Sequence, residues 1–306
     1  MDSPTGLFDF QINGFAGVDY QRDDLTLEQT RRSVAALVQH GTTRIFPTLI
    51  TDRVDRLCHR YAQFEKYRAA DPAIAAMFVG YHLEGPWLSP VEGYRGAHQP
   101  EAMCAPSLAD FARLQAAAGG RIRLVTLAPE WPGSPDFIAA VVQQGVHVAL
   151  GHTNASNEQI DAAIRAGARF CTHLGNGAPQ MMHRHDNIIQ RLLARDELIA
   201  CLIPDGVHLP PFVIRNCCRV KPPGKVLFTT DCMSGAGAGP GRYTIGLHPI
   251  DVGTDGIARN PGSGGGFAGS TLAPDEGVRN VAQYLGISLD ESRRLWAVDA
   301  PAAFGI

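Results

Sequence analysis

Two histidines in this sequence follow apolar runs at matching points of one repeating unit. The run HVAL leads into the tripeptide GHT around His152, and the run ARFC leads into THL around His173. A stretch with helical apolar spacing separates the runs, so residues 146–179 predict a strand, a helix and a second strand. Parallel strands of such a unit end at the same edge of a sheet. We therefore expect the two imidazoles to lie side by side, where they could bind a metal ion.

Three further polar residues lie after other apolar runs or in the loops that follow them. Together with Glu84, His152 and His173 form a three-ligand set that leaves a position open on a catalytic divalent metal. Such an ion lowers the pKa of a bound water from about 16 to near 7. Asp231 could accept that water's proton and later return it to a leaving group. His98, in the loop after the third predicted strand, could polarise a carbonyl opposite the metal.

Each of these residues also has a purely structural interpretation. A single histidine is more often a core or surface residue than a ligand. Glu84 could be an ion-paired carboxylate at the rim of a sheet, and Asp231 could be the N-cap of a helix. Their shared placement after successive strands favours the catalytic interpretation for the set.

The elements that must hold these side chains alternate along the chain. Strand-like and helix-like segments alternate over about 230 residues, which is typical of an α/β protein with a (β/α)8 TIM-type barrel. A doubly wound open sheet is the alternative, but it usually carries GxGxxG after its first strand, where this sequence reads NGFAG. We predict the eight strands at 7–12, 43–48, 77–83, 122–127, 147–150, 168–171, 198–203 and 226–230.

The sequence predicts a single domain over residues 1–306. Within it, residues 242–268 read as a strand and loop insertion that contains a glycine tract at 262–266. Residues 274–306 read as C-terminal helices that pack on the barrel.

Composition excludes several other classes of protein. The chain has 306 residues, of which 45% are apolar and 19% charged, as in a globular protein. Its net charge of −3, without a cluster of basic residues, argues against nucleic-acid binding. We expect no membrane span and no signal peptide. The seven cysteines form no CxxC pair, so we predict free thiols and a cytoplasmic location.

The sequence resembles the N-acetylglucosamine-6-phosphate deacetylases of the amidohydrolase superfamily. The matching segments run in order from residue 7 to the C-terminus and include HLEGP (82–86), GHTNA (151–155), THLGN (172–176) and TTD (229–231). The resemblance implies hydrolysis of the acetamide of an amino-sugar phosphate. It also implies that Glu84, His152 and His173 bind one divalent metal, with zinc expected first and iron, cobalt or manganese as alternatives. In this family pattern Asp231 is the acid/base residue and His98 lies beside the amide carbonyl.

The resemblance also implies a set of contacts with the substrate. Asn176, the backbone of Gly177 and His208 match sugar-phosphate contacts in relatives. Arg184 matches an arginine that reaches the phosphate of the neighbouring subunit's substrate, which implies a homodimer; from the residues alone it reads equally as a solvated surface arginine. The remaining contacts are a residue beside His98 and a loop that closes over the substrate, namely Ala97 and the turn Phe267, Ala268 and Gly269.

The chain departs from the family pattern in four places. Residues 11–13 read QIN where superfamily members with two metals have HxH, which argues for a single metal. Gly175, Gly177 and the segment HDN at 185–187 differ from relatives around the phosphate pocket. The segments from which relatives build a small β-sandwich are largely missing, and the glycine tract enlarges the loop beside the pocket.

Two other functions remain open at this level. The first is deacylation of a different substrate, namely N-acetylgalactosamine 6-phosphate, an unphosphorylated sugar or an N-acyl amino acid. The second is a non-catalytic paralogue that binds a sugar phosphate. Only a phosphorylated substrate should require Arg184, and the complete set of Glu84, His152, His173 and Asp231 argues against the non-catalytic alternative.

Overall fold

The computed structural model describes residues 6–261 and 267–306. Within this part of the chain, eight parallel strands form one sheet in which each strand pairs with the next along the sequence. Helices connect them, so the predicted (β/α)8 TIM-type barrel is confirmed. The strands are Leu7–Ile12, Thr42–Ile50, Tyr81–Glu84, Ile122–Leu127, His147–Leu150, Phe170–Cys171, Ile199–Leu202 and Val226–Phe228.

Local capping signals define where the connecting helices begin and end. The helix between the fifth and sixth strands starts with a capping box formed by Ser156 and Gln159 and ends at Gly167, whose φ is +114°. The helices are Leu27–Gln39, Val54–Ala70, Pro72–Met77, Leu108–Ala117, Ser134–Gln143, Asn157–Ala166, Ile188–Leu193, Pro211–Val220, Pro274–Leu285, Leu289–Arg294 and Ala300–Ala303.

The third strand is shorter than the sequence predicts. It begins at Tyr81, whereas the apolar run begins at Met77. The difference arises because Asp71 caps the short helix Pro72–Met77, and its carboxylate accepts hydrogen bonds from the next two backbone N–H groups of that helix. The helix Ile188–Leu193 is absent from the sequence prediction, since six residues are too few for an apolar period to show.

Aromatic side chains fill the barrel at the end where the first strand begins. Phe304, in the C-terminal segment, stacks on Phe170 with ring centroids 4.9 Å apart. It also meets Phe8 and Phe46 edge to face. All four rings are buried. This packing closes one end of the barrel, so the opposite end, where the strands terminate, is the one available for a site.

After the eighth strand the chain forms a small antiparallel sheet. Its strands are Gly241–Ile245, His248–Val252 and Ala258–Arg259, and a turn at Gly246 joins the first two. Asp19 holds this sheet on the barrel, since its carboxylate accepts a hydrogen bond from the Gly246 backbone N–H at 3.0 Å. The glycine tract 262–266 lies outside the described residues. Whether the whole chain is one domain stays a prediction.

Two expectations about the chain as a whole can be compared with the described residues. None of the helices described between residues 6–261 and 267–306 combines the length and the apolar character needed to cross a membrane. All seven cysteines lie in the described part of the chain, and none of them forms a disulfide bond.

A buried carboxylate joins the first and eighth strands. This carboxylate, that of Asp9, accepts hydrogen bonds from the hydroxyls of Thr229 and Thr230 and, at 3.0 Å, from the Thr230 backbone N–H. The same two strands are also joined where the Asn13 backbone N–H donates to the Cys232 carbonyl at 2.8 Å. Burial raises the pKa of Asp9 to about 6, although these hydrogen bonds act in the opposite direction. At pH 8 the group is therefore ionised and accepts every one of these bonds.

Replacing Asp9 with asparagine is expected to lower the free energy of unfolding at pH 8 by about 1–3 kcal/mol, the cost of an unsatisfied buried donor. Each carboxylate oxygen accepts from a backbone N–H, one from Gln11 and one from Thr230. An amide NH2 must therefore face another donor in either orientation. Urea denaturation of Asp9→Asn measures the change. Asp251→Asn, at an exposed carboxylate paired with Arg242, is the control and should leave the midpoint unchanged. An unaltered midpoint for Asp9→Asn would contradict the prediction.

Candidate active site

Three side chains from three different barrel strands converge at the open end of the barrel. The Glu84 Oε1 atom lies 3.0 Å from His173 Nε2 and 3.3 Å from His152 Nε2. The two Nε2 atoms are 3.0 Å apart. All three side chains are buried. Glu84 lies 89 positions from His173 in the sequence, yet the three side chains form a triangle of potential ligand atoms, as their placement after strands predicts.

The proton on His152 is placed by a backbone carbonyl. Its Nδ1 atom lies 2.9 Å from the Tyr94 carbonyl oxygen, which can only accept a hydrogen bond. Nδ1 therefore carries the proton, and the Nε2 lone pair points toward Glu84 and His173. Metal-binding histidines are usually oriented in this way by a partner on the other ring nitrogen.

The triangle fits a shared divalent cation. Zinc bonds to nitrogen and oxygen of about 2.0–2.2 Å place the ligand atoms of one ion about 3.0–3.6 Å apart, and the three separations agree with this spacing. Electrostatics agree as well. Burial lowers the pKa of His173, but its hydrogen bond to Glu84 and the charge of that carboxylate outweigh burial and raise it. The centre therefore attracts positive charge, either a proton or a metal ion.

His98 offers an alternative third ligand beside the same centre. Glu84, His98 and His152 also place one ligand atom each within 4.8 Å of one another. His173 fits better, because its Nε2 lies 3.0 Å from the ligand atoms of both Glu84 and His152. The His98 ring instead flanks the triangle, with its centroid 4.4 Å from that of His152.

Asp231 lies beside the triangle and is held by two amide side chains. Its Oδ1 atom accepts hydrogen bonds from Asn13 Nδ2 at 2.7 Å and from Gln11 Nε2 at 3.0 Å. The same Gln11 amide donates to Glu84 Oε2 at 3.3 Å. Within the described residues no group donates to Asp231 Oδ2. That oxygen is therefore the one that can exchange a proton.

The ionisation of the carboxylates differs within this site. Burial, and then the charge of Glu84, raise the pKa of Asp231 to about 7. Burial also raises the pKa of Glu84, but hydrogen bonds with His152 and His173 outweigh it and hold that pKa well below its usual range. One carboxylate thus stays ionised, as a metal ligand must, while the other can take up and release a proton near neutral pH.

Three of these residues adopt a backbone conformation that L-amino acids seldom occupy. The φ angles are +51° at His152, +29° at His173 and +49° at Asp231. Among the described residues other than glycine, only Ala16 shares a positive φ. Such conformations cost about 1–3 kcal/mol each and concentrate at functional sites. The strain at these strand ends is independent support for a site here.

Two glycines lie against the His152 imidazole. A Cβ atom added at Gly96 would lie 2.9 Å from His152 Cε1, and one added at Gly177 would lie 2.8 Å from Nδ1. Both glycines also have positive φ. No other residue could approach this ring as closely, which explains why glycine occurs at 177 in this chain.

The residues expected to bind substrate have different surroundings in the structure. The Asn176 backbone N–H donates to the His173 carbonyl. The His208 ring donates from Nδ1 to the Asp205 carboxylate, and its centroid lies 5.1 Å from that of Phe267. Arg184 is exposed and has no hydrogen bond or ion pair with a described residue. Ala97 precedes His98 in the chain, and Gly177 lies against the His152 ring. Ala268 packs in one apolar cluster with Met233, and Gly269 lies beside the Asp231 backbone.

Gln11 and Asn13 are functional candidates that the sequence analysis did not assign to the site. It used them only as a sign that a second metal is absent. Their amide groups contact Asp231 and Glu84 directly. The rule that identified the other site residues applies to them too, because both lie at the end of the first barrel strand.

Comparison with known proteins places this geometry in a family context. A profile of the amidohydrolase family matches residues 6–219. The N-acetylglucosamine-6-phosphate deacetylase of Bos taurus is 34% identical, over 94% of this chain and 70% of the relative. The N-acetylgalactosamine-6-phosphate deacetylase of Escherichia coli O157:H7 is 30% identical, over 97% of this chain and 77% of the relative.

The fold comparison gives the same result. The structure of a mutant N-acetyl-D-glucosamine-6-phosphate deacetylase from Mycobacterium smegmatis, in complex with N-acetyl-D-glucosamine-6-phosphate, superposes with a TM-score of 0.87 at 32% identity. The match covers 99% of this chain and 77% of that one.

Proposed function

Because this chain belongs to the amidohydrolase family and, within it, to the N-acetylglucosamine-6-phosphate deacetylases, we propose that it hydrolyses N-acetylglucosamine 6-phosphate to glucosamine 6-phosphate and acetate. The observation that carries the proposal is the convergence of Glu84, His152 and His173 within 3.3 Å of one another, with Asp231 beside them.

The triangle of Glu84, His152 and His173 would hold one divalent metal, and we propose zinc. When bound, the metal supplies Lewis-acid chemistry and a water that ionises near neutral pH. The nitrogen and carboxylate donors suit zinc, while iron, cobalt and manganese are the alternatives. Gln11 and Asn13 support a single ion, because neutral amides stand where further ligands would be needed.

Asp231 would transfer the proton in both halves of the reaction. Its Oδ1 atom is held by two amides, and Oδ2 can accept a proton from the attacking water. The same oxygen can then donate that proton to the departing amine nitrogen as the C–N bond breaks. A pKa of about 7 suits both directions of transfer.

His98 would contact the acetyl oxygen of the substrate. Burial, and then the neighbouring His152, hold the pKa of His98 well below its usual range, so the ring is neutral. A neutral imidazole can donate one hydrogen bond to an oxygen that gains negative charge as water attacks. Asn176, Gly177 and His208 would bind the sugar phosphate, and the segment 267–269 would cover it.

We further propose that the protein is a cytoplasmic homodimer in which Arg184 binds the phosphate of the neighbouring subunit's substrate. Arg184 is exposed, and its planar guanidinium suits a phosphate group. The seven unpaired thiols suit a reducing compartment.

Replacing Arg184 with alanine is expected to lower kcat/KM for the phosphorylated sugar by about 10–100-fold, the value of a charge-assisted hydrogen bond. Unphosphorylated N-acetylglucosamine should be hydrolysed at the same rate by Arg184→Ala and wild type, because it lacks the partner of this side chain. Steady-state kinetics with both sugars measures the difference. Arg165→Ala, at another exposed arginine, is the control. An equal loss with both sugars would contradict phosphate recognition.

Mixing two impaired variants tests whether Arg184 acts across the interface. A heterodimer of Arg184→Ala and Asp231→Asn subunits contains one complete site if the arginine comes from the partner. Activity restored by mixing would support this arrangement. Absence of restoration in a confirmed heterodimer would contradict it.

Acetate release from the 6-phosphate by the metal-loaded protein tests the proposed function itself. N-acetylgalactosamine 6-phosphate is the second candidate substrate, because the Escherichia coli relative at 30% identity is named for that sugar. Comparing kcat/KM for the two epimers decides between them. Metal-loaded protein that releases acetate from neither epimer would overturn the proposal.

A further inference from the structure

The side chain of Thr51 lies behind His98 at the end of the second barrel strand. His98 Nδ1 is 2.9 Å from the Thr51 hydroxyl oxygen and 3.4 Å from the Thr51 backbone nitrogen. Both residues are buried. Thr51 is not among the site residues predicted from the sequence.

The backbone contact identifies which ring nitrogen of His98 carries the proton. A backbone N–H can only donate, so Nδ1 must present a lone pair to Thr51. The proton of the neutral ring then resides on Nε2. In the opposite tautomer Nδ1–H could donate to the Thr51 hydroxyl, but the Thr51 backbone N–H would then lose its acceptor and face a second donor in a buried position.

The Thr51 hydroxyl strengthens the same arrangement. Its single proton has two acceptors within reach, His98 Nδ1 at 2.9 Å and the Glu84 carbonyl oxygen at 3.4 Å. The shorter contact is the one to Nδ1. Donation there adds a second donor to the nitrogen that already accepts from the backbone.

Neighbouring side chains hold Thr51 in place. Gln21 donates from Nε2 to the Thr48 carbonyl at 2.7 Å and accepts at Oε1 from the Ile50 N–H at 3.0 Å. On the other side, the buried Arg60 donates to the Asp52 carboxylate at 2.7 Å. The turn that carries Thr51 is therefore fixed before substrate binds.

We propose that Thr51 is a positioning residue that keeps His98 in the tautomer with Nε2 protonated, so that the ring presents a donor to the acetyl oxygen. This inference rests on the proposed function for His98. In the other tautomer, Nε2 would present a lone pair to an oxygen that is gaining charge, and the hydrogen bond would be lost. The contribution of Thr51 is therefore expected in kcat rather than in ground-state binding.

Substitution by valine, which has nearly the same shape, isolates the hydroxyl. Thr51→Val is expected to lower kcat by about 10–100-fold. Complete loss of one oxyanion donor usually costs about 10²–10³-fold, and the expected loss is smaller here because the Thr51 backbone N–H still donates to His98 Nδ1. KM and metal content should stay unchanged. Thr51→Ser keeps the hydroxyl and should retain wild-type kcat. Thr30→Val removes a buried hydroxyl that donates to the Thr26 carbonyl on the helix Leu27–Gln39, and serves as the matched control.

Long-range 1H–15N NMR of the metal-loaded protein reads the tautomer directly. The His98 signals, assigned with His98→Asn, should show the Nε2–H pattern in wild type. In Thr51→Val the Nδ1–H tautomer should make up about nine tenths or more of the population, as a tenfold loss of kcat requires. An Nδ1–H pattern in wild type, or wild-type kcat in folded Thr51→Val, would overturn the inference. If wild type releases no acetate, the proposed function fails, whereas the NMR comparison still decides whether Thr51 controls the tautomer.

Discussion

Asp231→Asn is expected to lower kcat for acetate release by about 10³-fold, within the 10²–10⁴ range of positioned acid–base groups. The asparagine has the same shape, and its amide oxygen can still accept from Gln11 and Asn13. It cannot take a proton from water at Oδ2 or pass one to the leaving amine. The loss should therefore appear in kcat, while KM and metal content stay close to wild type.

The measurement is steady-state acetate release, accompanied by metal analysis and calorimetric titration with the substrate. Asp161→Asn makes the same chemical change at an exposed carboxylate paired with Arg195 and should leave kcat unchanged. Loss of the metal from Asp231→Asn would instead identify the side chain as an essential ligand. Wild-type kcat would exclude it as the acid–base group.

Removal of the divalent metal is expected to abolish acetate release, and restoring about one ion per chain should recover it. Breaking the triangle with His173→Ala should have the same consequence, because the Glu84 and His152 donors then lose the third vertex of their site. The expected fall in metal affinity exceeds about 100-fold, since even residues behind the ligands contribute 10–100-fold.

Dialysis against a chelator, metal analysis and titration with zinc, iron, cobalt and manganese measure this effect and rank the metals. His59→Ala, at an exposed histidine whose ring contacts the Asp23 carbonyl, controls for nonspecific loss of an imidazole. Full activity after complete metal removal would contradict the assignment. Two ions per active chain would contradict the interpretation of Gln11 and Asn13 as replacements for the ligands of a second metal.

The barrel could be predicted from local features of the sequence. Apolar runs, helical periods and caps such as Ser156 and Gly167 are properties of a few neighbouring residues, so they do not depend on the rest of the chain. The prediction of the third strand was wrong at Met77 for the same reason. The apolar run is continuous in sequence, and only the cap at Asp71 divides it into a short helix and a strand.

The sequence predicted which residues converge at the candidate site, but not the hydrogen bonds between them. The rule that parallel strands end at one face brings Glu84, His152 and His173 together whatever the details of packing. The same rule covers Gln11, yet the partner of its amide depends on the distance between the first and eighth strands. Asp231, which receives that amide, lies 220 residues away in the sequence.

The sequence by itself therefore determined which chemical groups reach the open end of the barrel, because strand and helix signals are local. Only the tertiary structure decided how those groups are bonded. It brought His173 Nε2 within 3.0 Å of both Glu84 and His152, directed two amides onto one oxygen of Asp231, and set Thr51 against His98 Nδ1. Hydrogen-bond direction depends on distances and angles between atoms from remote parts of the chain, and no pattern of neighbouring residues contains them.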